Sequence, residues 1–307
     1  MTIKRGIALL AVLGLVSVAT AGSLGSQLGL PSENDRHSSS DTQMVASHDY
    51  TKNQIEYYLS DEEKSYTRPG LTVEIVNVEI PADRHPVVEV TYVDDQGLPL
   101  DREGRLTPGE VGMSFVIAWY DGDNRQYTAY TTRPQTSPIT DETAIQASSD
   151  SGGSWDDVEI GRSFYTFGTQ LPAGFDMSKT HTVYVYGTRE TADILGKNYY
   201  SDPTYDFRPD GGNITETWAA ILTETCNSCH DPLALHGSRR RAVKGCATCH
   251  NPQSWDPDTG NTVDLKVMIH KIHRGANLPS VQAGIPYQII GFRQSVHDYS
   301  DVIYPMD

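Results

Sequence analysis

Cysteine is almost missing from this chain. Its 307 residues contain four, Cys226, Cys229, Cys246 and Cys249, so whatever the thiols do is confined to one short stretch. Bases are short as well, 24 Lys and Arg against 40 Asp and Glu for a formal charge of −16. That balance argues against a nucleic-acid partner, because neutralising phosphates needs a basic face. Phenylalanine is scarce (6) while tyrosine is abundant (17), the usage of half-exposed β-surfaces rather than of an apolar helical bundle. No apolar run reaches the ~20 residues that span a bilayer. With 37% hydrophobic and 21% charged residues the chain is not wholly disordered, and its length suits two domains.

What is present begins with Lys4 and Arg5 before an uncharged run over 6–18, then Ala19-Thr20-Ala21, small residues at a cleavage site. Residues 1–21 therefore read as a secretory signal peptide, which implies export. No cysteine follows the cleavage site to accept a lipoprotein anchor. Residues 22–67, rich in Ser, Gly, Asp and Gln, read as a flexible tether with a weak apolar patch over 55–59. From 68 to 212 short alternating runs at 72–80, 87–93, 114–120, 163–167 and 182–186 predict strands. Turn clusters such as Asp94-Asp95-Gln96-Gly97, Asp121-Gly122-Asp123-Asn124 and Ser151-Gly152-Gly153-Ser154 separate them, so an antiparallel β-sandwich or barrel is expected.

Arg208-Pro209-Asp210-Gly211-Gly212 marks a domain boundary. Beyond it the apolar period lengthens. Asn213 and Glu216 resemble a capping box ahead of Ile214, Trp218, Ile221 and Leu222, which predicts a helix there. A second helix is expected over 262–274, capped by Asn261 or Thr262. Leu265, Met268, Ile269 and Ile272 would form its apolar stripe, and Gly275 would end it.

The chemistry lies in Cys226-Asn227-Ser228-Cys229-His230 and Cys246-Ala247-Thr248-Cys249-His250, two copies of C-x-x-C-H, the attachment signature of c-type haem. Two thiols one turn apart can form thioethers to the vinyl groups of one porphyrin, and the following imidazole reaches the iron as proximal ligand. The same spacing also fits a four-thiolate structural zinc site, and free pairs in an oxidising compartment would form disulfides. The histidine after each pair, which zinc does not require, and the export signal favour haem. Six of the ten histidines follow residue 225. With His230 and His250 as proximal ligands, His236, His270, His273 and His297 remain as candidate distal ligands, a surplus for two irons. His270 and His273, three apart on one helical side, suit two adjacent haems. Arg239, Arg240, Arg241 and Lys244 between the motifs could offset haem propionates or form a solvated loop.

The segments TCNSCHDPLALHG (225–237), CATCHNP (246–252) and MIHKIHRG (268–275), continued by Ile289 to Phe292 and His297 to Pro305, resemble the first half of a haem domain in the OmcA/MtrC-type decahaem cytochromes. The resemblance covers residues 213–307; the preceding β-region matches more weakly. It implies a Greek-key β-domain followed by a mostly irregular and α-helical c-type haem domain, incomplete here. It also implies electron transfer at the outer surface to metal oxides or soluble shuttles, with other redox proteins or outer-membrane conduit components as partners. Two covalent haems are expected in this chain and more in a longer parent, since a third C-x-x-C-H would be expected near residue 307. The chain is accordingly expected to be a truncated member or a fragment, located in the periplasm, at the outer-membrane surface or outside the cell. The other readings are a multihaem reductase with an open iron position and a secreted module with a zinc site.

Overall fold

The computed structural model describes residues 50–305. The expected signal peptide and the first part of the expected tether lie outside them. From Tyr50 onward the chain is folded, which corrects the tether expected to run to residue 67. A 3₁₀ turn (Ile55–Tyr58) leads into helix α1 (Asp61–Thr67). Ser60 and Glu63 form a reciprocal capping box: the Ser60 hydroxyl accepts from the Glu63 N–H, and the Glu63 carboxylate accepts from the Ser60 N–H at 2.7 Å. A charge, not the weak apolar patch, anchors the segment. Glu56 is 1% exposed, accepts from the Tyr199 hydroxyl at 2.6 Å and pairs with Lys197.

Two antiparallel sheets follow. β1 (Thr72–Glu79), β2 (Val87–Val93), β3 (Val111–Asp121), β4 (Gln126–Ala129), β5 (Thr132–Thr136) and β6 (Thr143–Ala147) precede β7 (Ser154–Glu159), β8 (Arg162–Thr166) and β9 (His181–Arg189). A short α2 (Ala192–Leu195) then separates β9 from β10 (Tyr199–Ser201) and β11 (Thr204–Phe207). One sheet runs β1-β2-β8-β7. The other runs β10-β9-β3-β4, with β11 also on β9, and β5–β6 form a separate hairpin. Their facing sides make the core: Val73, Val88 and Val90 from the first sheet meet Phe115, Ile117 and Val185 from the second. Phe115 stacks on Tyr165 at 4.1 Å between ring centres. The result is a sandwich rather than a closed barrel.

The five predicted runs correspond to β1, β2, β3, β8 and β9. Alternation is clean in β2, where every second residue is buried, but all nine residues of β9 are buried. A strand is buried throughout only when both faces are covered. The sandwich core covers one face of β9; the other lies under the cysteine-bearing segment, whose Trp218, Val243 and Ala247 pack with Ala118, Tyr120 and Tyr127 of β3 and β4.

That segment departs from expectation at its start. Residues 213–222 form an extended strap, not a helix. Burial of Trp218 to 9% exposure and a bond from the Thr180 hydroxyl to the Glu216 carbonyl (2.6 Å) hold it flat, while Ile214, Ile221 and Leu222 stay exposed. A short isolated helix is marginal in water, so these tertiary contacts outweigh its weak local preference. The helices are α3 (Thr223–Asn227), α4 (Val243–Cys249), α5 (Leu265–Arg274) and α6 (Pro279–Gln282), followed by hairpin β12 (Gln288–Ile290) and β13 (Val296–Asp298). α5 starts three residues later than expected. Val263 is tied to Ser254 (3.1 Å) and Asp264 N–H donates to the Thr262 hydroxyl, which keeps 262–264 out of the helix. Gly275 ends it as expected, with φ +41° and Val302 packed so closely that a Cβ would lie 2.1 Å from its carbonyl.

Arg189, at the end of β9, is fully buried and donates to the carbonyls of Thr67, Arg68, Gly70 and Pro108. One guanidinium thus satisfies four backbone acceptors and fastens α1 to the sandwich. Replacing it with methionine fills the space but leaves carbonyls unpaired, each costing about 1–3 kcal/mol if it stays buried. Arg189→Met is therefore expected to lose at least about 3 kcal/mol in urea unfolding and to expose residues 50–70 to limited proteolysis. Wild-type stability with unchanged cleavage would contradict this role.

Candidate haem sites

The two C-x-x-C-H segments adopt the same local geometry. Cys226 lies on α3, and the N–H groups of Cys229 and His230 both bond to its carbonyl, at 3.1 and 2.9 Å. Cys246 and Cys249 lie on α4, and the His250 N–H bonds to the Cys246 carbonyl at 2.8 Å. In each case the turn sets two thiols about one helical turn apart with an imidazole directly after them. All four cysteines are free thiols. Among the described residues, no group of three or more His, Cys, Asp or Glu is arranged to hold a metal ion.

The surroundings differ. At the first motif Cys229 and His230 are exposed. At the second, Gly245, Ala247 and Thr248 are buried, and Cys249 packs against Val116, Tyr184 and Tyr186 of the sheet. Gly245 allows this contact, since a Cβ there would lie 2.2 Å from the Tyr184 ring. Asp202 holds the start of α4 by accepting from the N–H groups of Arg241 and Ala242, both at 2.6 Å, and from the Tyr184 hydroxyl. Burial raises the affinity of the Asp202 carboxyl for its proton, and these three donors oppose that.

The candidate distal histidines divide into two groups. The His273 ring centre lies 6.4 Å from that of His230, and the His236 ring centre lies 6.0 Å from that of His250. A metal–imidazole bond is about 2.0–2.1 Å, so two imidazoles on opposite faces of one metal have ring centres about 6 Å apart. Both pairs have that spacing, and each joins a motif histidine to one from outside the motifs. His250 is oriented by a bond from Nδ1 to the Val263 carbonyl (3.0 Å), which leaves Nε2 for a metal. His236 reaches its partner from a tight turn with φ +52°. His270 and His297 are exposed and, among the described residues, have no second imidazole against them. His270 Nδ1 lies 2.5 Å from the Lys266 carbonyl, and His297 Nε2 lies 3.1 Å from the Ser295 hydroxyl.

Burial, with Arg240 and His250 nearby, pushes His236 down to about 4. Burial likewise lowers His250 and His273. Burial pushes the Cys246 thiol up to about 12. Sequence reasoning missed Gly245, Asp202 and the two tyrosines. Gly245 alone carried a signal: a glycine inside a helix costs about 1 kcal/mol relative to alanine and implies close approach of another element.

Residues 219–300 match the family described as outer membrane cytochrome MtrC/MtrF-like, domains II/IV. Over 141 residues the chain is 28% identical to multiheme cytochrome MtrC of Shewanella baltica, spanning 43% of this chain and 21% of that protein. Over that part the chain is similar to the OmcA/MtrC-type cytochromes. Among solved structures, the outer membrane decaheme cytochrome OmcA aligns over 77% of this chain and 38% of its own length, with a TM-score of 0.62 and 23% identity. The crystal structure of MtrC from Shewanella baltica aligns over 68% and 33%, with a TM-score of 0.45 and 22% identity. The OmcA alignment is evidence of a shared fold. The chain thus spans well under half of the OmcA/MtrC-type proteins it matches.

The docking of α4 gives a direct test. On an open helix, Gly245→Ala would gain about 1 kcal/mol in helix propensity. Against Tyr184 it is expected instead to cost about 1–3 kcal/mol through overpacking, read as a lower urea midpoint. A stabilised variant would mean that α4 does not sit against β9.

Proposed function

We propose that this chain carries part of a multihaem c-type cytochrome that passes single electrons, with two haems attached within the described residues. Cys226, Cys229, His230 and His273 would hold the first. Cys246, Cys249, His250 and His236 would hold the second. The observation that carries this reading is the double pairing of a motif histidine with an outside histidine at the spacing two axial ligands require. When bound, haem supplies a one-electron Fe(III)/Fe(II) couple whose potential follows from its ligands and surroundings. The chain's own part would be to supply and orient the imidazoles and to limit water at the second site through Tyr184 and Tyr186. With two histidines offered to each haem, outer-sphere electron exchange would be favoured over a reductase acting on a bound small substrate.

On this reading, residues 68–212 are the β-domain and 213–307 belong to a haem domain. His270 and His297 serve irons attached beyond these two motifs. The outer membrane cytochromes that the chain resembles, with the signal-like residues 1–21, support export and a place in an outer-membrane electron conduit with other redox proteins. Metal oxides or soluble shuttles would be the acceptors. Among the described residues no helix is long and apolar enough to cross a membrane.

Expression in the periplasm with a cytochrome c maturation system tests the proposal. The purified chain is expected to gain the mass of two covalent haems and to show a low-spin spectrum from paired imidazoles. His273→Met should alter the axial spectrum of one haem and His236→Met that of the other. A chain without covalent haem would overturn the proposal, and carbon monoxide or nitrite binding to the wild-type protein would favour the reductase.

A further inference from the structure

Four bases stand between the two motifs, and the structure separates one from the rest. Arg239 donates to the Thr188 hydroxyl at 3.0 Å. Arg241 donates to the Ser238 carbonyl at 3.1 Å and lies over the Tyr200 ring. Lys244 forms an ion pair with Asp206 and also donates to Thr217. Arg240 is half-buried at the second site, and among the described residues no carboxylate lies within ion-pair distance of it. Its Nε is buried with no hydrogen-bond partner.

Its position is fixed from two sides. The guanidinium lies over the Tyr186 ring at 4.4 Å, and Tyr186 belongs to the cluster against which Cys249 packs. Its backbone forms a two-bond antiparallel bridge with Leu235, at 3.0 and 3.2 Å, immediately before His236. Arg240 is therefore held between the sheet, the second thiol pair and the turn that delivers the distal imidazole. Among the described residues, no buried guanidinium or ammonium nitrogen without a partner lies in the first motif or on α5. Arg274, which follows His273 on α5, is turned to the Asn277 carbonyl at 2.9 Å.

We infer that Arg240 is a positioning charge that sets the reduction potential of the second haem above that of the first. The inference rests on the haem reading proposed above. A fixed positive charge in partly dehydrated surroundings favours the iron state with less positive charge, so Fe(II) gains over Fe(III). Burial against the sheet acts in the same direction by disfavouring the more charged state. Electrons would enter at the exposed first site and reside at the second, beneath the sandwich.

Anaerobic redox titration, followed in the visible spectrum, tests this on the haem-loaded wild-type chain, Arg240→Met, Arg240→Lys and a Cys246→Ala/Cys249→Ala chain that keeps only the first haem. The wild type is expected to titrate in two waves, with the higher one absent from the double cysteine variant. In Arg240→Met that higher wave should move down until the reduced-to-oxidised ratio at a fixed potential falls about tenfold, equivalent to about 59 mV for one electron. Arg240→Lys should recover most of the shift, and the lower wave should stay in place. Coincident wild-type waves, a second wave unmoved in Arg240→Met, or an equal shift of both waves would overturn the inference. If Arg240→Met fails to load haem, the order of the two wild-type waves against the double cysteine variant still decides it. Loss of covalent haem from the wild-type chain would instead overturn the proposed function together with the inference built on it.

Discussion

Strand β9 must be covered on both faces, and most of the architecture follows from how that is done. Its inner side chains, Val183 and Val185, enter the sandwich core, while Tyr184 and Tyr186 face outward as broad rings with few atoms able to satisfy water. An exposed face of this kind would be an association surface. Helix α4 removes it from solvent, and it comes close enough only because residue 245 has no side chain. The cysteine pair on α4 is consequently placed by the sheet, not by a freestanding haem-binding loop. Asp202, accepting from two N–H groups ahead of α4 and from the Tyr184 hydroxyl, binds helix and strand to a single carboxylate.

The same constraint accounts for the difference between the two motifs. Their backbone turns agree to within a tenth of an ångström in the hydrogen bond from histidine to the first cysteine. Their environments do not agree, because α3 follows a strap anchored mainly by Trp218, whereas α4 lies flat on a sheet. The same C-x-x-C-H sequence is thus set in two different surroundings. Position relative to β9 decides which motif is the more buried, where the guanidinium of Arg240 is confined and which imidazole is hydrogen-bonded into place.

Much of this was legible in the sequence, and the limits of legibility have physical causes. β1, β2, β3, β8 and β9 announce themselves by period-two burial or by continuous β-branched and aromatic runs. β5 and β7 do not, because exposed edge positions such as Arg133, Asp156 and Glu159 impose no alternation. The apolar spacing of 213–222 imitates a helix, yet a single large ring at Trp218 determines the outcome by finding a site on the sheet. The docking of residues 50–67 was hidden because it depends on Glu56 and Arg189, a buried carboxylate and a buried guanidinium that composition assigns to the surface. At the site, residue types and motif spacing named all four paired histidines but not their pairing, since ring-to-ring distance is a property of the folded chain.

The division among the histidines carries the argument one step further. His270 and His273 are three residues apart on α5, yet only His273 meets another imidazole. A ten-residue helix with no buried residue has little packing of its own to hold two ligands in register. What fixes it is at its ends: Val263 and Asp264 tied back before it, and Gly275 locked under Val302 after it. With both ends pinned, the exposed face bearing His270 can remain open without disturbing the geometry of His273. A helix tethered by its ends in this way can present ligands to two neighbouring centres independently, because filling one does not require repacking against the other.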